Sequence, residues 1–150
     1  MNLLLIGANG FVCARLVEAL KLEPDIDLPA ITPRPVDIPA GKTMMIQGPD
    51  AKTDWSEALE DQSVIFHAGA LAQIMEYDAP NPILEYRRAS VDTTLNLARQ
   101  AAAEGVKRFV FISSIKVNGG VTKPGAFFTA DDIPKPIDGC GIYKLEAERV

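Results

Sequence analysis

The chain has 150 residues, 47% hydrophobic and 23% charged, which is the size and balance of one soluble globular domain with a core of its own. A net charge of −5 and a pI near 4.9 argue against nucleic acid or an anionic membrane as partner, and no apolar run approaches the roughly 18–20 residues of a membrane span. Two cysteines make no disulfide framework, a single histidine leaves a metal without a ligand set, and the N-terminus lacks the basic region of a signal peptide, so a cytoplasmic enzyme domain is expected.

The run Leu3, Leu4, Leu5, Ile6 predicts a strand buried on both faces. Gly7-Ala8-Asn9-Gly10 then turns the chain, and Phe11, Val12, Leu16, Val17 and Leu20 recur at helical spacing. Strand, glycine turn and helix together place unpaired helix N-terminal amides where a phosphate can meet them. In such a G-x-x-G-x-x-G loop Gly7 permits the tight turn and Gly10 the close approach of a ligand; the third position, expected to be small, is Cys13.

Residues 26–32 read as a second strand, weakened by Pro29, and 43–46 as a third, with the prolines at 33, 35 and 39 between them. Thr53 or Asp54 is placed to cap a short helix over 55–59. Residues 63–68 form a fourth strand, 71–81 a loop, and 83–104 the longest helix, with Leu84, Val91, Leu95, Leu97, Ala98 and Ala102 as its apolar side and Gly105 to end it. A fifth strand spans 107–113, a long connection with three prolines spans 119–136, and a last helix starts near Gly141 and continues through Val150 without a stop signal. Strands alternating with helices predict a doubly wound parallel α/β sheet of Rossmann type with about five strands. It is expected to be incomplete, with the substrate region absent and 1–150 forming the N-terminal, dinucleotide-binding domain of a longer architecture.

The stretches GANGF at 7–11, VIFHAGA at 64–70, SVDTTLNLARQAAAEGVKRFVFISSIKVNG at 90–119 and GIYKLEAE at 141–148 resemble the extended short-chain dehydrogenase/reductases, in particular the NAD-dependent nucleotide-sugar epimerase/dehydratase group. FISSIKVNG, PGAFFTADD and YKLEAE are most similar to bacterial enzymes of O-antigen and lipopolysaccharide sugar synthesis, which are UDP-glucose or UDP-N-acetylglucosamine 4-epimerases or 4-keto-sugar reductases. The resemblance implies NAD at the carboxyl edge of the sheet, a UDP-sugar substrate, and hydride transfer at the sugar C4. It also implies a homodimer through 83–104 and the helix after 141.

Carried over residue by residue, the resemblance assigns the cofactor loop to Gly7, Asn9, Gly10, Phe11 and Val12, and the segment passing under the cofactor to Ala68, Gly69 and Ala70. It assigns the active-site hydroxyl to Ser114, and the Lys of Y-x-x-x-K, which holds the nicotinamide ribose, to Lys144. Where the family has Tyr, four residues before that lysine, stands Cys140; Tyr143 lies about 100° around the helix from Lys144 and is no simple substitute. The usual Asn of N-V-x-G-T is Ser90. Cys140 admits three readings: a residue inert in catalysis, which its short side chain favours; a thiolate encouraged by Lys144; or a sequence-level change. No acidic residue ends the second strand, so NADP stays open beside NAD, with Arg34 able to accept a 2′-phosphate. His67 is expected to be structural, and Asp131-Asp132 solvated. Besides the enzyme, two alternatives stand: a dinucleotide-binding module without chemistry, and a steroid- or flavonoid-type reductase of the same superfamily.

Overall fold

A computed structural model describes residues 1–20, 22–33, 42–69, 84 and 87–149. Its centre is β1 (Leu3–Ile6), all four residues of which are buried. Leu4 and Ile6 point to one face of the sheet and pack with Ile31, Trp55, Leu59, Ile65, Leu97 and Ala101; Leu3 and Leu5 point to the other and pack with Ala8, Cys13, Val17, Leu28 and Ala30. The two-residue period of a strand thus divides one apolar run between two cores, each Leu or Ile contributing roughly 1.5–3 kcal/mol by burial. The first core lies under α2 (Ser56–Leu59) and α3 (Thr93–Ala103), the second under α1 (Phe11–Leu20).

The other strands are β2 (Ala30–Thr32), β3 (Thr43–Met45), β4 (Val64–His67) and β5 (Arg108–Phe111). All pairs are parallel and the spatial order is β3-β2-β1-β4-β5. The order reverses beside β1, which puts the loops leaving β1 and β4 at the carboxyl edge, where open α/β sheets take their ligands. Five parallel strands are expected, and the described residues contain five.

The departures from expectation have local causes. The second strand shrinks to three residues because Pro29 has no N–H: its carbonyl accepts from Leu5 on the β1 side, and the ladder towards β3 opens only with the Ala30 amide donating to Lys42 O. The long helix carries a π-helical turn (Arg88–Asp92), with Leu84 and Arg87 α-helical before it and α3 after it. Its buried stripe runs from Val91 in that turn through Thr94, Leu97 and Ala101, while Ala102 and Leu84 are exposed. Gly105, at φ +77°, ends it as expected. The N-cap of the short helix is Trp55, without a side-chain cap bond, in place of the expected Thr53 or Asp54; Asp54, one residue earlier, accepts from the Ser56 amide at 3.0 Å. The last helix, α4 (Gly139–Glu148), begins two residues early because Asp138 caps it, accepting from the Gly141 amide at 2.9 Å, and it closes at Glu148; Val150 lies outside the described residues.

Candidate cofactor and active site

Two loops meet at the carboxyl edge. Gly7 has φ +89°, and a Cβ there would stand 2.8 Å from both Cα and N of Gly69 and 3.1 Å from the Ala68 carbonyl carbon. Only glycine allows that contact. The Gly10 amide donates to Gly7 O at 2.9 Å, a Cβ on Gly10 would lie 3.1 Å from the same oxygen, and Gly10 O in turn accepts from Ala14 to start α1. Asn9, Gly10, Phe11 and Val12 are exposed, Phe11 to 83%. The loop therefore presents an open helix N-terminus, the arrangement that suits a phosphate. Arg34 and Ala70, the remaining residues expected here, lie outside the described residues.

Cys13 fills the space between α1 and β1. It is 1% exposed, its Sγ stands 4.0 Å from Ile6 O, and burial pushes the thiol pKa up to about 11, so it stays protonated.

At the end of β4, His67 is buried and its pKa is pushed down to about 4, first by desolvation and second by the charge of Lys144. The ring is neutral, and its tautomer follows from the hydrogen bonds. Thr94 Oγ1 donates its one proton to Ser90 O at 2.6 Å and therefore accepts from His67 Nε2 at 3.0 Å. His67 Nδ1 is left without a partner among the described residues, as is the buried Oγ of Ser113. His67 thus ties β4 to the π-helical turn that carries Ser90, a structural role as expected. A base whose folded pKa is depressed binds fewer protons folded than unfolded. Stability should therefore fall as pH drops from the ordinary imidazole value of 6.5 towards 4, by up to about 3 kcal/mol. Urea unfolding across that window should show this slope in the natural chain and lose it in His67→Gln; an unchanged slope would place the titration elsewhere.

Ser114 opens a 3-10 turn (Ile115–Val117), its Oγ accepting from the Lys116 amide at 3.2 Å. That turn packs on the first turn of α4. A Cβ on Gly141 would lie 2.4 Å from Lys116 O, and Lys116 Nζ donates to Asp138 Oδ2 at 2.7 Å. The Lys116 ammonium, then the Gly141 amide, hold the Asp138 carboxyl below its ordinary range. The turn that follows Ser114 and the first turn of α4, which carries half-buried Cys140, are brought together in this way. One turn further on, Lys144 is half-buried, donates to Ile112 O at 2.7 Å, and places its Nζ 4.3 Å from the centroid of the Phe111 ring. Desolvation lowers its pKa, while Cys140 and Glu148 favour its charge. Tyr143 is buried against Gly139. α4 is pinned to the helix before it by Arg87, whose Nε donates to both carboxylate oxygens of Glu146, at 2.9 and 3.1 Å, and whose Nη1 donates to Asp92 at 3.3 Å.

The residues that sequence reasoning missed are Phe111, Arg87, Glu146, Asp138 and Gly141. Asp138, three residues before Gly141, carries a recognisable capping signal. Asp132, expected to be solvated, is exposed and accepts from the Thr129 amide at 2.9 Å. Among the described residues no group of three or more His, Cys, Asp or Glu is placed to hold a metal, and no helix is long and apolar enough to cross a membrane.

A parallel sheet reversing beside β1, with a glycine loop and a Ser–Cys–Lys grouping at its carboxyl edge, defines a Rossmann-type domain of the short-chain dehydrogenase/reductase kind. The chain belongs to the NAD dependent epimerase/dehydratase family, which matches it over residues 3–150. A UDP-glucose 4-epimerase of Vibrio cholerae is 38% identical over 148 residues, 99% of this chain and 45% of the relative. Among solved structures, MoeE5 in complex with UDP-glucose and NAD is 31% identical with a TM-score of 0.79, the match covering 99% of this chain and 47% of MoeE5. A short-chain dehydrogenase/reductase superfamily protein from Agrobacterium tumefaciens with bound NAD is 26% identical with a TM-score of 0.80, over 99% of this chain and 43% of that one. The chain thus spans about half the length of these relatives.

Proposed function

We propose that 1–150 is one dinucleotide-binding domain, the NAD-holding part of a nucleotide-sugar 4-epimerase that acts on a UDP-sugar. The observation that carries this is the backbone contact of Gly7 with Gly69 beneath the open N-terminus of α1, at the same sheet edge as Ser114 and Lys144. It is a cradle that a single Cβ would fill, and it fits a dinucleotide pyrophosphate. Gly7, Asn9, Gly10, Phe11 and Val12 would surround the phosphates, Ala68, Gly69, Ala70 and Ser90 would lie along the cofactor, and Lys144 would hold the nicotinamide ribose. When bound, NAD supplies hydride acceptance and return at the sugar C4.

The chain's own residues do the rest. With the Lys116 amide on one lone pair of its oxygen, Ser114 keeps its hydroxyl proton free to donate to a sugar oxygen. Lys144 contributes a positive charge at the same edge. Cys140 stands where the family places its acid–base Tyr, and its side chain is roughly 4 Å too short to take over that contact, so turnover is impaired. A 4-keto-sugar reductase is the near alternative, and Cys140 specifically favours a second reading, a dinucleotide-binding module without chemistry. Family analogy favours NAD over NADP; Arg34 is the residue that would reverse this. By the same analogy the protein is cytoplasmic, serves lipopolysaccharide sugar synthesis, and pairs as a homodimer through 83–104 and α4. Exposed Leu84 and Ile142 on those segments support the pairing.

The test is calorimetry of the folded chain with NAD and, separately, NADP. Saturable binding of NAD, tighter than NADP, is expected. Heats no larger than dilution in a chain proven folded by its melting transition would overturn the reading.

A further inference from the structure

We propose that Phe111 is a positioning residue for Lys144, its ring face and the neighbouring Ile112 carbonyl together fixing the ammonium at the carboxyl end of β5. The inference rests on the reading of Lys144 as the lysine of the site. Lys144 has a four-carbon stem with freely rotating bonds, and on a helix surface such a side chain samples many rotamers. Here it has two anchors on consecutive residues of one strand end: the Ile112 carbonyl at 2.7 Å and the Phe111 ring centroid at 4.3 Å. A carbonyl alone fixes a distance; the ring adds a face, because the negative quadrupole of an aromatic attracts a cation above its plane.

The ring is itself held in place. His67 stacks beside it with centroids 5.6 Å apart and planes inclined by 34°, and Phe109 meets the other part of His67 edge-on at 6.1 Å. Because His67 is neutral above about pH 4, this aromatic group puts no competing positive charge behind Phe111 at neutral pH. The titratable groups acting on Lys144 are Cys140 and Glu148 on its own helix, which favour the charge; His67 on β4 feels the Lys144 charge in turn and is neutral. Burial opposes the charge, and the ring offsets part of that cost without adding another titrating group.

The test replaces Phe111 by 4-fluoro-, 3,5-difluoro- and pentafluorophenylalanine, which drain the ring's negative face at nearly constant shape. The readout is the pKa of Lys144 from the pH dependence of its 13Cε shift, without cofactor. The pKa should fall stepwise with fluorine content, and Phe111→Leu should lower it by about 0.5–1.5. Phe111→Trp should restore it. A merely structural Phe111 predicts no trend with fluorine, and a flat series in chains with unchanged melting would overturn the proposal. NAD calorimetry on the same samples separates the two readings. A stepwise pKa without NAD binding supports the Phe111–Lys144 contact and overturns the cofactor reading alone.

Discussion

Replacing Cys140 by Tyr should raise epimerase turnover by about 10²–10⁴-fold, the range a positioned general acid–base group contributes. The assay uses a chimera in which this chain takes the place of the matching part of the Vibrio cholerae relative, with UDP-glucose as substrate and the C4 epimer as product. The scaffold around position 140 is already built. Asp138 caps the helix, Lys116 braces the cap, and Gly141 lets the Ser114 turn close to within backbone contact. Lys144 stands one turn beyond, already held over Phe111. On the proposed reading, what is missing is a phenol oxygen between Ser114 and Lys144. The Tyr variant should therefore gain mainly in kcat, with little change in NAD affinity. If turnover stays flat while NAD still binds, Cys140 is not the acid–base position, and the non-catalytic module becomes the better account.

The second large effect is expected at Gly7. Gly7→Ala places a Cβ 2.8 Å from the backbone of Gly69, which no rotamer change can relieve, and asks an L-residue to hold φ +89°. Left-handed strain costs about 1–2 kcal/mol and forced overpacking about 1–3 kcal/mol, so a loss of roughly 2–5 kcal/mol is expected, with the two loops driven apart and NAD affinity down at least about tenfold. Gly105→Ala is the control. It also has positive φ, +77°, but nothing lies within 4 Å of the added atom, so it should show the strain without the clash or any loss of cofactor. Chemical denaturation and calorimetry of both variants decide the matter. Equal destabilisation of the two would mean that the Gly7–Gly69 contact is not a tight one.

The central strand was legible because burial on both faces writes itself as an unbroken apolar run: Leu3–Ile6 could be read as a strand buried on both faces before any neighbour was known. The glycine loop, Ser114 and Lys144 were singled out for a different reason, since the segments that hold them resemble a known family. The π-helical turn was not, because it leaves no mark in residue type, and Thr93 and Thr94 count as polar although both are buried. Pro29 announced a weak strand but not where its ladder would start. Long-range pairs such as Lys116 with Asp138, or Arg87 with Glu146, join positions far apart in the chain and carry no local pattern. Phe111 reads as an ordinary core residue of a strand; only the fold shows an ammonium over its ring. Cys13, an oddity in the loop pattern, proves to be a packed, protonated core residue.

The most direct test of the account is NAD titration followed by 1H–15N NMR of the assigned chain. The amides of Gly10, Phe11, Val12 and Gly69 should shift together and saturably, and the Lys144 side chain should move with them. Shifts confined to the opposite edge of the sheet, around Asp27, Glu57 and Gln62, would contradict it.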